Sequence, residues 1–428
     1  MYDNLVVCSC FNKKFNFDKF IVIFLCLQPF LDITSGILLH FGYSITISSI
    51  IRLAYMMLCI LYLIFVVKNN KINKYLFFIF IYFILYVITV LVTKSSIILV
   101  SEIKNFLTTF YFSINLLTFT EIYHKRTFNT KILSMLYLIF LTLILIPNLL
   151  NLGFNSYSDS KTGSTGWFYS ANTVGSILSI LLPFTIINIK KINLNIILLA
   201  IINLYTIFNI GTKTPVLSFF IVIFVNAIYF IFYLVKKYNY KKLIIPLFSS
   251  FVIFVIGFSL LVIPKTSFYK NLVIHINFLE KQNNGNINLS HFVDHFIFSE
   301  RLSFAKKTQN FYCKSSYLEK LFGIGYMKKN ISNKPFYKTI EIDYFDVFYR
   351  HGLIGFLLFF LPVLYVIVEL IKKCKNVYTD QKKLNIFISI LLIFSLALFQ
   401  GHIFVTPQIS IYAALILSLS YNNSFNYN

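Results

Sequence analysis

The sequence predicts an all-α integral membrane protein with about 12 transmembrane helices and one large extracytoplasmic loop. Three observations carry this: the composition, the length of the apolar runs, and where the lysines and arginines fall between them. Of 428 residues, 58% are hydrophobic and only 12% charged, with a mean hydropathy of +0.76. A soluble domain carries about 25% charged residues, so this chain cannot cover itself with an ordinary polar surface. Many of its apolar runs approach the roughly 20 residues that cross a hydrocarbon core about 30 Å thick.

The runs place spans near 20–41, 46–67, 75–92, 97–119, 131–150, 170–189, 194–210, 215–235, 243–263, 352–371, 384–402 and 407–421. They divide the chain into a membrane bundle over 1–263, an extracytoplasmic loop over 264–351 and a C-terminal membrane part over 352–428. Basic residues set the orientation. With the N-terminus inside, the inner segments hold Lys13, Lys14, Lys19, Lys68, Lys71, Lys74, Lys125, Arg126 and Lys131. Further along they hold Lys190, Lys191, Lys236, Lys237, Lys372 and Lys373, whereas the short outer connections hold only Lys94, Lys161 and Lys213. Both termini are therefore expected in the cytoplasm, in a bacterial inner membrane.

The net charge of +23 does not point to nucleic acid, because the basic residues sit in short loops between spans and no soluble basic domain exists to present them. The cysteines form no framework. Only Cys313 falls in the large outer loop, and Cys8 and Cys10 lack partners at zinc-site spacing. The first apolar stretch is too long for a cleaved signal and has no small-residue cleavage site.

Charges inside a membrane are costly and mark functional candidates. Asp32, Arg52, Glu102 and Lys104 lie away from span ends. At 1.5 Å per residue they all fall within roughly 12 Å of the outer surface. One bland arrangement pairs Arg52 with Glu102. A transporter coupled to ions would place such groups near the midplane, so this shared depth points to chemistry or binding at the outer leaflet. The outer segments near them are long. One, about 151–170, is rich in Ser, Gly, Asn and Thr and holds Trp167, the only tryptophan. The other, about 265–351, carries two amphipathic stretches, 296–312 and 341–350, and is too long for a simple connection.

Three ordered segments resemble the O-antigen ligase and O-antigen polymerase superfamily of bacterial surface-polysaccharide assembly. The first is the run from Trp167 to Pro183, and the second is Gly211-Thr212-Lys213-Thr214-Pro215. The third begins with Arg301 opening an amphipathic helix. It continues through Gly323-Ile324-Gly325-Tyr326, then Glu341-x-Asp343-Tyr344, into Gly352-Leu353-Ile354-Gly355. The resemblance implies an integral-membrane, metal-independent glycosyltransferase without cofactor. Its substrates would be undecaprenyl-diphosphate-linked glycan donor and acceptor, and other polysaccharide-assembly proteins are among the partners it admits. On that reading Arg301, Lys213 and Arg52 are the candidate cations for diphosphate. Glu341 or Asp343 is the candidate general base, with His351 a further possibility. Tyr326 or Trp167 would stack on sugar.

Two departures bear on the choice within the superfamily. Glu341 stands where ligases commonly have His, and Lys213 where they commonly have Arg, which replaces a planar fork by a point charge. These favour a polymerase of lipid-linked repeat units over a ligase. From a different class, a flippase of lipid-linked oligosaccharides would show repeated spans and midplane ion sites, and neither is visible. A non-catalytic membrane scaffold is the remaining alternative.

Overall fold

The computed structural model describes residues 17–43, 47–94, 98–156, 162–187, 194–238, 263–282, 294, 298–299, 301–326, 340–373 and 380–420. Five helices come first: α1 Phe17–His40, α2 Ile47–Tyr62, which a π turn continues over Leu63–Val67, α3 Asn70–Thr93, α4 Leu99–Lys125 and α5 Lys131–Leu149. Then come α6 Ala171–Leu181, α7 Leu194–Ile210, α8 Lys213–Tyr238, α9 Ser267–Gln282, α10 Arg301–Lys314 and α11 Tyr317–Phe322. The chain closes with α12 Asp343–Lys373, α13 Gln381–Phe399 and α14 Pro407–Leu419. Among the described residues there is no strand, and Asn155 and Ser164 make one isolated antiparallel bridge.

Of these helices, 7 are long and apolar enough to cross a membrane, and α6 with its Pro183 extension, α7 and α14 are shorter apolar helices. The predicted span at 243–263 lies outside the described residues except for Ile263, which begins a 3-10 turn. The others coincide with helices, to within several residues. The largest difference is at α12, which begins nine residues before the predicted span at 352. Gly352 sits there at φ 66° and ψ −174° and kinks the helix without ending it.

Helix α14 forms the centre. Every residue from Ile409 to Leu419 is buried, and Ser410, Ala413, Ala414 and Ser418 give it small positions at which neighbouring backbones approach closely. It packs chiefly on α4. Within the bundle Asn226 and Asn385 exchange amide hydrogen bonds of 2.9 and 3.0 Å, and Tyr137 donates to Asn203. Such interhelical bonds average about 0.6 kcal/mol each, so packing contributes most of the association. Outward-facing apolar side chains such as Phe77, Phe80, Ile88 and Leu361 are exposed, as a lipid-facing surface requires.

A smaller unit sits over one end. Helices α10 and α11 and the first two turns of α12 enclose their own core of Ala305, Ile324, Ile340, Ile342 and Tyr349. Two glycines clasp it. A Cβ on Gly323 would lie 2.6 Å from the Arg350 carbonyl carbon, and one on Gly352 would lie 2.6 Å from that of Leu321. The carbonyls freed by the kink are reused. Ile324 N–H donates to Tyr349 O at 3.1 Å, Gly325 N–H to Arg350 O at 3.0 Å, and the Tyr82 hydroxyl to His351 O at 2.8 Å. The spacing of Gly323, Gly325 and Gly352 thus has a mechanical cause: only glycine lets these two backbones touch.

Candidate active site

Asp32, Arg52 and Glu102 resolve into two separate clusters. Arg52 donates through Nε to Gln28 at 2.8 Å and through Nη2 to Asp32. Glu102, fully buried, accepts from Lys94 Nζ at 2.6 Å, from the Tyr86 hydroxyl at 2.7 Å and from Tyr326 N–H at 2.9 Å. Arg52 and Glu102 are therefore not paired with each other. Each finds its partner on the helix beside it: α1 lies against α2, and Lys94 ends α3 where α4 begins.

The Glu102 cluster anchors the cap. Gly325 passes so close that a Cβ would sit 2.7 Å from Glu102 Oε1. The Tyr326 hydroxyl lies 2.8 Å from that of Thr109 and 3.0 Å from His351 Nε2. Its ring faces the Arg350 guanidinium at 5.4 Å. His351 is fully buried, boxed in by Tyr86, Phe106 and Phe110. His351 presents no group to the surface of this end, whereas Tyr326 is half-buried.

Arg301 and Glu341 do meet. Arg301 opens α10, and its Nε and Nη2 donate to Glu341 Oε2 at 3.1 and 3.0 Å while Nη1 donates to Phe399 O at 2.9 Å. On the other carboxylate oxygen, His402 Nε2 lies 3.8 Å from Oε1. Side-chain exposures of 10% for Arg301, 16% for Glu341 and 27% for His402 make this an ionic triad reachable from outside. Three segments far apart in sequence build it, and the backbone is held unusually to do so. Glu341 has φ 60° and His402 φ 64°, both in the left-handed region that non-glycine residues rarely occupy. Gly401, at φ 69°, lies directly against the Glu341 carbonyl.

Asp343 supports that geometry. Its carboxylate accepts the N–H groups of His402 at 2.6 Å, Ile403 at 2.8 Å and Phe404 at 2.7 Å, and it is almost completely buried. Both oxygens are committed to the turn that carries His402. Gln400, before that turn, donates to Asn172 O at 2.9 Å, which ties the triad to the start of α6.

Lys213 starts α8 at the same end, where Thr212 and Pro215 pack on Gly175 of α6. Trp167 lies in the loop before α6, its indole N–H donating to Leu152 O at 3.2 Å. His402 meets Arg301 and Glu341 without having been a candidate in the sequence. Its Gly-His position opening the last hairpin was the available signal.

The charge state of His402 is set by opposing effects. Burial disfavours its cation, but the hydrogen-bonding and charge of Glu341, with Asp343 and Asp346, outweigh that and raise the imidazole above its ordinary value. A raised folded-state value contributes stability that is complete below the unfolded value, about 6.5, and is lost as pH rises through the folded one. The thermal midpoint of the wild type should accordingly exceed that of His402→Gln by more at pH 6 than at pH 9. A gap constant across that range would mean that the imidazolium is not held by Glu341.

The sequence matches the profile of a family described as O-antigen ligase like membrane protein, over residues 14–291 and 288–421. The chain belongs to that family. Together the two matched stretches cover nearly the whole chain, both the bundle and the cap. No curated protein matches it. Membership in the O-antigen ligase-like family makes this a multi-span membrane protein of glycan assembly, with glycosyltransferase-type chemistry and lipid-linked glycan as its class of substrate.

Proposed function

We propose that the protein transfers glycan from an undecaprenyl-diphosphate-linked donor to a hydroxyl of an acceptor glycan at the outer face of the cytoplasmic membrane, and that it does so as a polymerase of lipid-linked repeat units. The observation that carries this reading is the Arg301–Glu341–His402 triad, a cation beside a carboxylate at the surface of one end. In the proposed reaction the acceptor hydroxyl attacks the anomeric carbon and a new C–O bond forms. The bond from that carbon to the phosphate oxygen breaks, and its electron pair leaves on the diphosphate. The hydroxyl proton passes to Glu341. Arg301 neutralises the leaving diphosphate, and Lys213 adds a second cation from the start of α8.

Arg301 and Glu341 hold one another in the resting state, which gives the pair two uses. A diphosphate competes with Glu341 for the guanidinium, and a carboxylate relieved of that contact becomes a stronger base. Arg52, already matched to Asp32, and Tyr326, enclosed by His351 and Thr109, fit the support of the site better than contact with substrate. Asp343 fits the positioning of His402. The outer-face assignment rests on the basic inner loops, which fall at the end opposite the triad.

A second reading, transfer of finished glycan to a different acceptor, is favoured by His402. Its imidazole stands beside Glu341, so the departure from His at 341 leaves the site with an imidazole after all. Extension of a purified lipid-linked repeat unit by the protein in nanodiscs separates the readings. A ladder of lengths supports the polymerase. A single transfer to an added lipid or protein acceptor supports the ligase. Movement of the donor across vesicles with no new glycosidic bond would overturn both.

A further inference from the structure

One helix of the cap is seated on the flank of the bundle. α11 lies against α3 and α12. The Phe322 ring stacks on Tyr82 with centroids 6.4 Å apart, and the Tyr82 hydroxyl, which donates to His351 O, also reaches Phe322 O at 3.2 Å. Tyr82 lies eleven residues before Thr93, the last of α3, so this contact sits about 16 Å along the helix from the end that carries Lys94. Helical side chains lean toward the N-terminus, so Tyr82 does not reach back toward that end. The lipid-facing rows run past on both sides. Phe78 and Leu85, one turn either side of Tyr82, are exposed, and so are Leu353 and Leu357 of α12. Leu321 is set against the second row, since a Cβ on Gly352 would stand 2.6 Å from its carbonyl.

α11 extends those rows. Tyr317, Leu318 and Leu321 form one face of it, exposed by 86%, 46% and 41%. Single exposed apolar residues are ordinary, but these are contiguous with a surface that already meets acyl chains. The backbone suits the same surroundings, where polar groups must find partners in the protein. Ser316 and Glu319 close a capping box: Glu319 N–H donates to Ser316 Oγ at 3.3 Å and Ser316 N–H to Glu319 Oε2 at 3.0 Å. At the other end Gly323 N–H donates to Glu319 O at 2.8 Å, and the Tyr312 hydroxyl to Lys320 O at 2.7 Å. The charge around the face is of one sign. Across 301–322 the basic residues are Arg301, Lys306, Lys307, Lys314 and Lys320, and the sole acidic one, Glu319, is committed to the capping box. Lys314, exposed, ends α10 just before the face, and Lys320 stretches its ammonium over the Tyr317 ring at 5.7 Å. An apolar face with a basic rim is the make-up of a helix that lies in a bilayer interface.

We infer that α11 is an interfacial helix, its Tyr317–Leu318–Leu321 face embedded among the acyl chains of the leaflet on the triad's side, with Lys314 and Lys320 on the phosphates of anionic phospholipid. The contact would hold the cap to the membrane as well as to the bundle, and it stands apart from the proposed transfer reaction.

Two measurements on the full chain in nanodiscs test it. In the first, Tyr317→Trp is made together with Trp167→Phe, so that the new indole reports alone. Phospholipid carrying a nitroxide high on its acyl chain should remove most of the indole fluorescence, and acrylamide in the water should remove little. Strong quenching by acrylamide would put the face in water, and shielding from both quenchers would put it under another part of the chain. Either result overturns the inference. The second uses the wild type, so it speaks even where the tryptophan variant folds poorly. Amide exchange over residues 317–322 should be slower in phosphatidylglycerol discs than in phosphatidylcholine discs, by about fivefold for each lysine engaged. Lys314→Gln/Lys320→Gln should abolish that difference while leaving exchange in phosphatidylcholine unchanged. Equal wild-type exchange in the two lipids, or a difference that survives in the double variant, overturns the lysine–phosphate contact.

Discussion

Arg301→Ala should lower glycan transfer by about 10²–10³-fold, the loss seen when one preorganised donor to a developing anion is removed. Arg301→Lys should recover only part of it, because an ammonium cannot offer the parallel N–H pair that a phosphate accepts. The difficulty is that Arg301 also holds Glu341 and the Phe399 carbonyl, so a loss of activity alone would not separate chemistry from architecture. Stability separates them. If the guanidinium serves only to hold Glu341 and the Phe399 carbonyl, the loss of transfer in Arg301→Ala follows a lowered thermal midpoint and a disturbed elution on size exclusion. If Arg301 carries the diphosphate, transfer falls while elution and thermal midpoint stay near wild type. Transfer at the wild-type rate in a folded Arg301→Ala would remove Arg301 from the chemistry.

The parts of this site legible in the sequence were those with a local signature. Arg301 is the first residue of an amphipathic helix, and Gly323, Gly325 and Gly352 mark backbone turns, so their places along the chain could be read directly. The partners could not. Arg52 binds Asp32 rather than Glu102 because α1 lies against α2, and Glu102 binds Lys94 because α3 hands the chain to α4 at that end. Depth in the membrane was readable from the span positions, but the azimuth of each charge around its helix depends on which helices are neighbours. The same limit hid the triad. Residues 301, 341 and 402 lie on three segments that meet only when the cap folds over the α13–α14 turn, and no period or spacing encodes that meeting. The kink at Gly352 was equally out of reach, since an apolar run starting at 352 reads as a helix start whether or not another helix feeds into it.

Asp343 is where sequence and structure differ most in what they suggest, and its replacement should cost the fold before it costs the chemistry. An acidic residue in the loop beside an acceptor site reads as a general base. The structure commits both of its oxygens to three consecutive N–H groups, of His402, Ile403 and Phe404. Asp343→Ala leaves three buried donors without partners. At about 1–3 kcal/mol for each orphaned group, and allowing water to recover part of the loss, the expected destabilisation is about 3 kcal/mol or more. Asp343→Asn is not a gentle substitute, because its amide N–H2 faces N–H groups that need an acceptor. Both variants should therefore lower the thermal midpoint and the monodisperse yield, and His402, held at φ 64° by this turn, should lose its place beside Glu341. Its loss would show as a pH dependence of stability flattened to that of His402→Gln. A general base predicts the opposite pattern: Asp343→Asn with wild-type melting, an unchanged stability profile with pH, and transfer reduced by several orders of magnitude. That outcome would return Asp343 to the reaction and leave the turn to be held by something else.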